Sequence, residues 1–155
     1  MKDKNKNKNE NRYASLRLDD QLCFPLYSIA KEITRQYRKP LKELNLTYTQ
    51  YVVMMVLWEK GNMTEGELGQ IVHLDSGTLA PLLKRMEKQG YIHRIKPDNN
   101  ERKLTVELTQ AGKELKEKAL AVPGQMDGCI PLEEEELVTL KDLLDKAMTK
   151  MEFVK

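Results

Sequence analysis

The run TEGELGQIVHLDSGTLAPLLKRMEKQGYIHRIKPDNNERKLTVELT, residues 64–109, decides the fold. Thr64 with Glu67 three residues on forms a capping box, so a helix begins there, and Leu68, Ile71 and Val72 give it an apolar side. His73 and Leu74 lead into Asp75-Ser76, a second capping signal, followed by Leu79, Leu82, Leu83 and Met86 at helical spacing. Gly90 stands where a left-handed residue closes a helix. Residues 91–95 and 103–108 then read as strands, the second alternating strictly, and the polar turn-forming residues 97–102 lie between them. A helix, a short turn, a helix and a two-stranded hairpin with a charged tip make the layout of a winged helix-turn-helix. That layout predicts double-stranded DNA as the first partner to consider.

The second helix carries the chemistry. Opposite its apolar face it presents Thr78, Pro81, Lys84, Arg85 and Lys88. Ser76 and Thr78 stand near the helix N-terminus, where hydroxyls and backbone N–H groups suit phosphate oxygens or base edges. Arg85 is long enough for bidentate contact with guanine, while Lys84 and Lys88 suit phosphates. Pro81 would cost ~3 kcal/mol in a helix interior, less this close to the start. Arg102 and Lys103 stand at the wing tip, where an arginine can enter a narrow minor groove. On an isolated helix this basic face would be solvated and nothing more; the helix-turn-helix and wing around it turn it into a reading surface.

Net charge, +2, does not announce a nucleic-acid binder, but its distribution is uneven. From Ser76 to Lys103 seven basic residues (Lys84, Arg85, Lys88, Arg94, Lys96, Arg102, Lys103) face Glu87, Asp98 and Glu101, so this window carries +4 and the remainder −2. A charged head on a near-neutral scaffold is the expected electrostatic footprint of a nucleic-acid reader.

The rest of the chain frames this head. Its 155 residues, 40% apolar and 32% charged, suit a soluble protein with one continuous core. Residues 1–15 read as a disordered Lys/Asn-rich tail, and 16–155 as a winged-helix domain whose reading head spans about 46–109. No segment approaches the ~20 apolar residues of a membrane span, and the N-terminus lacks a secretory pattern. The expected location is cytoplasmic, where cysteines stay reduced unless oxidation belongs to the function.

A helix is expected from Asp19 or Asp20 to Arg38, with a stripe of Leu22, Leu26, Ile29, Ile33 and Tyr37. Thr47 or Thr49 should open the next helix, rich in Val52, Met55, Val56 and Trp58 and stopping at Gly61. Thr109 caps a charged helix through Leu115 and Ala119, interrupted near Pro123-Gly124. Pro131 and four glutamates start a last helix carrying Leu137, Leu140, Leu144, Ala147 and Met151. The flanking helices, about 19–39 and 110–153, either pack within one chain or build a homodimer. The dimer is the preferred reading, because winged-helix proteins commonly read two-fold DNA sites.

Cys23 and Cys129 are the only cysteines, and neither has metal-ligand spacing with His73 or His93, so no metal or cofactor is expected. Cys23 and Tyr27 share a helix face; Tyr37 lies on nearly the same face but about 21 Å further along, at ~1.5 Å per residue. Tyr37 can therefore meet a Cys23 across an antiparallel helix pair but not its own, unless the helix breaks, and Tyr48 can join it. Hydroxyl donors aimed at sulfur favour thiolate, the form that peroxides oxidise. The competing account is an inert cysteine on an apolar face.

These residues resemble the MarR family, and within it the organic-hydroperoxide-sensing, OhrR-like branch. The resemblance covers about residues 18–124 and rests on Gln21-Leu22-Cys23-Phe24 through Tyr27, Arg35-Gln36-Tyr37, Leu46-Thr47-Tyr48, and Leu74-Asp75-Ser76-Gly77-Thr78-Leu79 through Leu83-Lys84-Arg85-Met86-Glu87. It implies a homodimeric repressor, not an enzyme, whose reduced form binds operator DNA. It maps the sensor onto Cys23, with organic hydroperoxide as effector, and the thiolate-positioning tyrosines onto Tyr27, Tyr37 and Tyr48. Branch members resolve the sulfenic acid with a small thiol or with a second cysteine of the other subunit; Cys129 lies in the region of the second kind. Two positions depart from the family pattern: Pro25, two residues after Cys23, where it would remove a helix bond, and Asn100 in place of the wing's usual Asp. A repressor released by a non-covalent phenolic ligand is the alternative reading. A thiol peroxidase is disfavoured, since the sequence around Cys23 lacks a Thr and Arg arrangement for turnover.

Overall fold

The computed structural model describes residues 13–96 and 104–151, which fall into two compact bodies divided after Gln36. In the first, tight 3-10 turns at Ala14–Leu16 and Leu18–Asp20 precede helix α1 (Cys23–Gln36). The first turn lies partly inside the span expected to be a tail. The Gln21 amide donates to the carbonyls of Ser15, at 2.8 Å, and Arg17, at 3.2 Å, holding the two turns together.

Helix α1 starts at Cys23, not at Asp19 or Asp20, and Pro25 is the reason. A helix begun at Asp19 would require an N–H from residue 25. Begun at Cys23, it places Pro25 in the first turn, where N–H groups have no intrahelical acceptor, so no hydrogen bond is removed. The expected lost bond beside the cysteine is therefore absent. No residue of α1 is buried: Phe24, Leu26, Tyr27 and Ile29 are exposed, and so is Leu22 just before it, at 75%.

The second body begins with the short helix α2 (Arg38–Lys42) and continues into α3 (Tyr48–Lys60). Thr47 is the N-cap of α3: its hydroxyl accepts from the Gln50 N–H, while the Gln50 side chain accepts from the Thr47 N–H at 2.9 Å. The helix ends at Gly61, as expected. Its buried face is Gln50, Tyr51, Val53, Met54 and Leu57, whereas Met55 is exposed and Val52, Val56 and Trp58 are only half-buried. This helix is apolar nearly all round, so periodicity could not identify the inward side.

Strand β1 (Met63–Thr64) and helix α4 (Glu65–Val72) follow, then α5 (Ser76–Lys88), β2 (Ile92–Ile95) and β3 (Thr105–Leu108). Thr64 and Glu67 form the expected capping box, and the His73 backbone turns left-handed, φ 54°, to end α4. The sheet has three antiparallel strands in the order β1-β3-β2, with Val106 opposite both Met63 and Arg94. The expected two-stranded hairpin thus gains a third strand; two residues are too few to show alternation in sequence. Gly90, at φ 81°, makes the left-handed turn out of α5 toward β2.

Helix α6 (Gln110–Ala119) is capped by Thr109, whose hydroxyl accepts from the Gly112 N–H and donates to the Gly90 carbonyl at 2.6 Å. It breaks at Leu120, before Pro123, which lies within the short helix α7 (Ala121–Gln125). Gly112 meets the wing root closely: a Cβ there would overlap the Tyr91 carbonyl oxygen. Its own carbonyl accepts from Trp58 Nε1 at 2.9 Å. The last helix, α8 (Glu134–Lys150), is capped by Glu133 and Glu136, and none of its residues is buried. One core joins Leu41, Leu57, Leu68, Leu83, Met86, Ile92, Val106 and Val122. Among the described residues, no helix is long and apolar enough to cross a membrane.

Candidate nucleic-acid interface and cysteine sites

Helix α5 divides as its sequence implies. Leu79, Leu82, Leu83 and Met86 are buried, and Ser76, Thr78, Pro81, Lys84, Arg85 and Lys88 are exposed. Burial of the first set fixes the roll of the helix, so the basic set faces outward together. Asp75 caps it, accepting from the Thr78 N–H at 2.9 Å and from the Thr78 hydroxyl at 3.0 Å. These bonds, the backbone one foremost, hold the Asp75 carboxyl below its ordinary range. Thr78 thus gives its hydroxyl hydrogen to Asp75 and has none to offer a phosphate in this conformation.

Among the described residues, no ion pair engages Lys84, Arg85 or Lys88. Arg94 differs. Its side chain is 12% exposed, its Nε donates to Glu65 at 2.6 Å, and Glu87 lies 4.0 Å from Nη1. One of the seven cations in the basic window is therefore internally neutralised, while Lys84, Arg85 and Lys88 stand exposed on α5. Arg102 and Lys103 lie outside the described residues, as does Asn100.

The cysteine-related residues fall in two groups, one in each body. In the first, Cys23 is exposed at the start of α1 and Tyr27 stands one turn later, with Lys31 Nζ 5.7 Å from its ring centre. In the second, Tyr37 and Tyr48 meet with ring centres 4.7 Å apart. Tyr51 extends the cluster, 6.0 Å from Tyr37 and 6.3 Å from Trp58. Burial, then the neighbouring Tyr48, Tyr51 and Cys129, raises the pKa of Tyr37, so its phenol remains a protonated donor well above neutral pH. Cys129 is half-buried, packs against the core, and its N–H donates to the Met126 carbonyl at 3.0 Å. Among the described residues, no cluster of His, Cys, Asp and Glu has a metal-binding arrangement.

Sequence reading missed Tyr51, which shares a face of α3 with Tyr48 and Trp58, and also Gln50. The spacing Thr47-x-x-Gln50 is a capping-box signature of the kind found at Thr64, and would have located the latter.

A family model described as transcriptional regulator SarA/Rot matches residues 35–119. The organic hydroperoxide resistance transcriptional regulator of Bacillus subtilis is 44% identical over 135 residues, covering 87% of this chain and 92% of its own. Reduced AbfR bound to DNA superposes with a TM-score of 0.71 at 32% identity, covering 89% of this chain and 96% of that one. AbfR, of Staphylococcus epidermidis, has also been solved overoxidised on DNA, with the same TM-score of 0.71, and in a disulfide-formed state, with 0.59. A cysteine-to-serine mutant of MarR from E. coli, complexed with operator DNA, shares the fold at a TM-score of 0.74 and 24% identity, covering 81% of this chain and 92% of its own. The chain belongs to the SarA/Rot family of transcriptional regulators, in the branch of the organic hydroperoxide resistance regulator, and has the winged-helix fold that MarR shares.

Proposed function

We propose that this protein is a homodimeric, DNA-binding, redox-sensing repressor that binds operator DNA when reduced and releases it when organic hydroperoxide oxidises Cys23. The observation that carries the reading is the exposed face of α5, where Lys84, Arg85 and Lys88 stand together without a carboxylate partner among the described residues. Ser76 and these three cations enter the major groove, and Arg102 with Lys103 of the wing approaches the flanking minor groove. The unburied apolar residues of α1 and α8 support a homodimer, whose symmetry spaces two reading heads along a two-fold operator.

Exposure of Cys23 gives a hydroperoxide access to its sulfur. The thiolate attacks the peroxide, the O–O bond breaks, and with one proton the products are a sulfenic acid and an alcohol. Tyr27, with Tyr37 and Tyr48 of the partner subunit, orients that thiolate, the raised pKa of Tyr37 keeping its phenol a hydrogen donor. The thiol of Cys129 of the partner subunit then condenses with the sulfenic acid, forming a disulfide and releasing water. The new bond draws on the helices that set the distance between the heads, and a changed distance misaligns both half-sites.

The test is DNA affinity at fixed salt, using the protein's own upstream region, before and after one equivalent of organic hydroperoxide. Loss of binding that dithiothreitol restores is the expected result. Unchanged binding after confirmed Cys23 oxidation rejects the redox switch and favours a non-covalent ligand.

A further inference from the structure

Beside α5 an open groove of about 570 Å³ is lined by Lys42, Asn45, Thr47, Arg85, Lys88 and Gln89, among others. Three of its lining residues are cations, none is a carboxylate, and none of the three cations belongs to an ion pair seen among the described residues. Arg85 and Lys88 are three residues apart and so share a flank of α5, while Lys42 comes from a different element, the end of α2.

The Lys42 backbone is held in place. The Leu46 N–H donates to the Leu41 carbonyl at 3.1 Å, the Asn45 backbone is left-handed at φ 52°, and Gln89 Nε2 donates to the Asn45 carbonyl at 2.9 Å. Lys42 thus faces the α5 flank across a short, tied loop. From this placement we infer that the groove is a seat for a backbone phosphate of bound DNA and that Lys42 is a DNA contact outside the helix-turn-helix.

The inference rests on the DNA-binding reading above and deepens it. A helix lying in the major groove, ~12 Å wide, has a sugar–phosphate strand along each flank. The flank carrying Arg85 and Lys88 is the one Lys42 faces, so a strand passing there meets three positive charges from two elements. The groove is open and continuous with the reading face, as a passing strand requires. A contact of this kind fixes register and adds affinity without reading sequence.

The experiment measures the slope of log affinity against log salt for wild type, Lys42→Gln and Lys88→Gln, on upstream-region DNA and on scrambled DNA. Lys42 is exposed, so thermal unfolding of Lys42→Gln should match wild type. The expected result is a slope shallower by about 0.9 for each reading head, with affinity reduced equally on both DNAs. A wild-type slope in Lys42→Gln, with a reduced one in Lys88→Gln, overturns the phosphate seat and leaves DNA binding by α5 intact. Wild-type DNA binding in Lys42→Gln, together with lost affinity for inorganic phosphate, overturns it in favour of a small anion. Absence of salt-dependent DNA binding in the wild type removes the underlying reading as well.

Discussion

Gln50 donates from Nε2 to Gln89 Oε1 at 2.9 Å, joining the first turn of α3 to the C-terminal end of the reading helix. Gln89 passes the link on to the Asn45 carbonyl, and the Tyr91 hydroxyl donates to the Leu44 carbonyl at 3.1 Å. Gln50 is 4% exposed, so its amide has protein rather than water as its partner. Gln50→Leu leaves the Thr47 N–H and the side-chain Oε1 of Gln89 without this partner. A loss of about 1–3 kcal/mol in denaturant unfolding is expected, with weaker DNA binding because the end of α5 is less firmly held.

Arg94 and Glu65 form a mostly buried pair, 12% and 21% exposed. Removing one member leaves the other charge uncompensated, so Arg94→Gln should cost about 3 kcal/mol. Because Arg94 is already neutralised inside the protein, the salt dependence of DNA binding should match wild type. A shallower slope would show Arg94 contacting phosphate instead.

At Gly112 a methyl group would overlap the Tyr91 carbonyl. Gly112→Ala should therefore separate α6 from the wing root and cost about 3 kcal/mol. Trp58 is the only tryptophan and donates to the Gly112 carbonyl, so its fluorescence should report the change directly.

Glu32 accepts from Arg35 Nε at 2.8 Å and Nη2 at 2.6 Å, and these bonds, foremost among its interactions, lower its pKa from an ordinary 4.5 to about 2. A lowered folded-state value means that the stabilising contribution is present above pH 4.5 and lost as pH falls toward 2. Carboxylate NMR should show Glu32 titrating near 2, and Arg35→Gln should return it toward 4.5.

For the redox switch, Cys23→Ser should remain on DNA when organic hydroperoxide is added; release like that of wild type would exclude Cys23 as sensor. Cys129→Ser separates the two ways of resolving the sulfenic acid. Release of Cys129→Ser that persists only with a small thiol present places the protein in the one-cysteine mode, whereas wild-type release without added thiol that is lost in Cys129→Ser assigns Cys129 as the resolving group.

The reading head was legible because its signals are local. Caps at Thr64, Asp75 and Thr109 each lie three residues from the group they satisfy, and the apolar spacing of α5 separated its two faces correctly. Three-residue signals could not show Arg94 folding back onto Glu65, a contact across 29 residues, or Lys42 approaching α5. The apolar sequence of α3 concealed its inward face for another reason: hydrophobicity on every side carries no direction. The start of α1 lies four residues past Asp19 because Pro25 sets the boundary, which the apolar stripe does not show. The aromatic cluster was half visible, with Tyr37 and Tyr48 identified and Tyr51 overlooked because α3 is apolar on nearly every side, which hid the face that Tyr51 shares with Tyr48.

The cap on α5 also bears on which bases the protein prefers. With its hydrogen committed to Asp75, the Thr78 hydroxyl turns only lone pairs and a methyl outward. A base edge meeting that oxygen must bring an amino group, adenine N6 or cytosine N4, and thymine can offer its methyl to the carbon side. On the proposed DNA-binding reading, guanine, which shows only acceptors in the major groove, is the base this cap would select against.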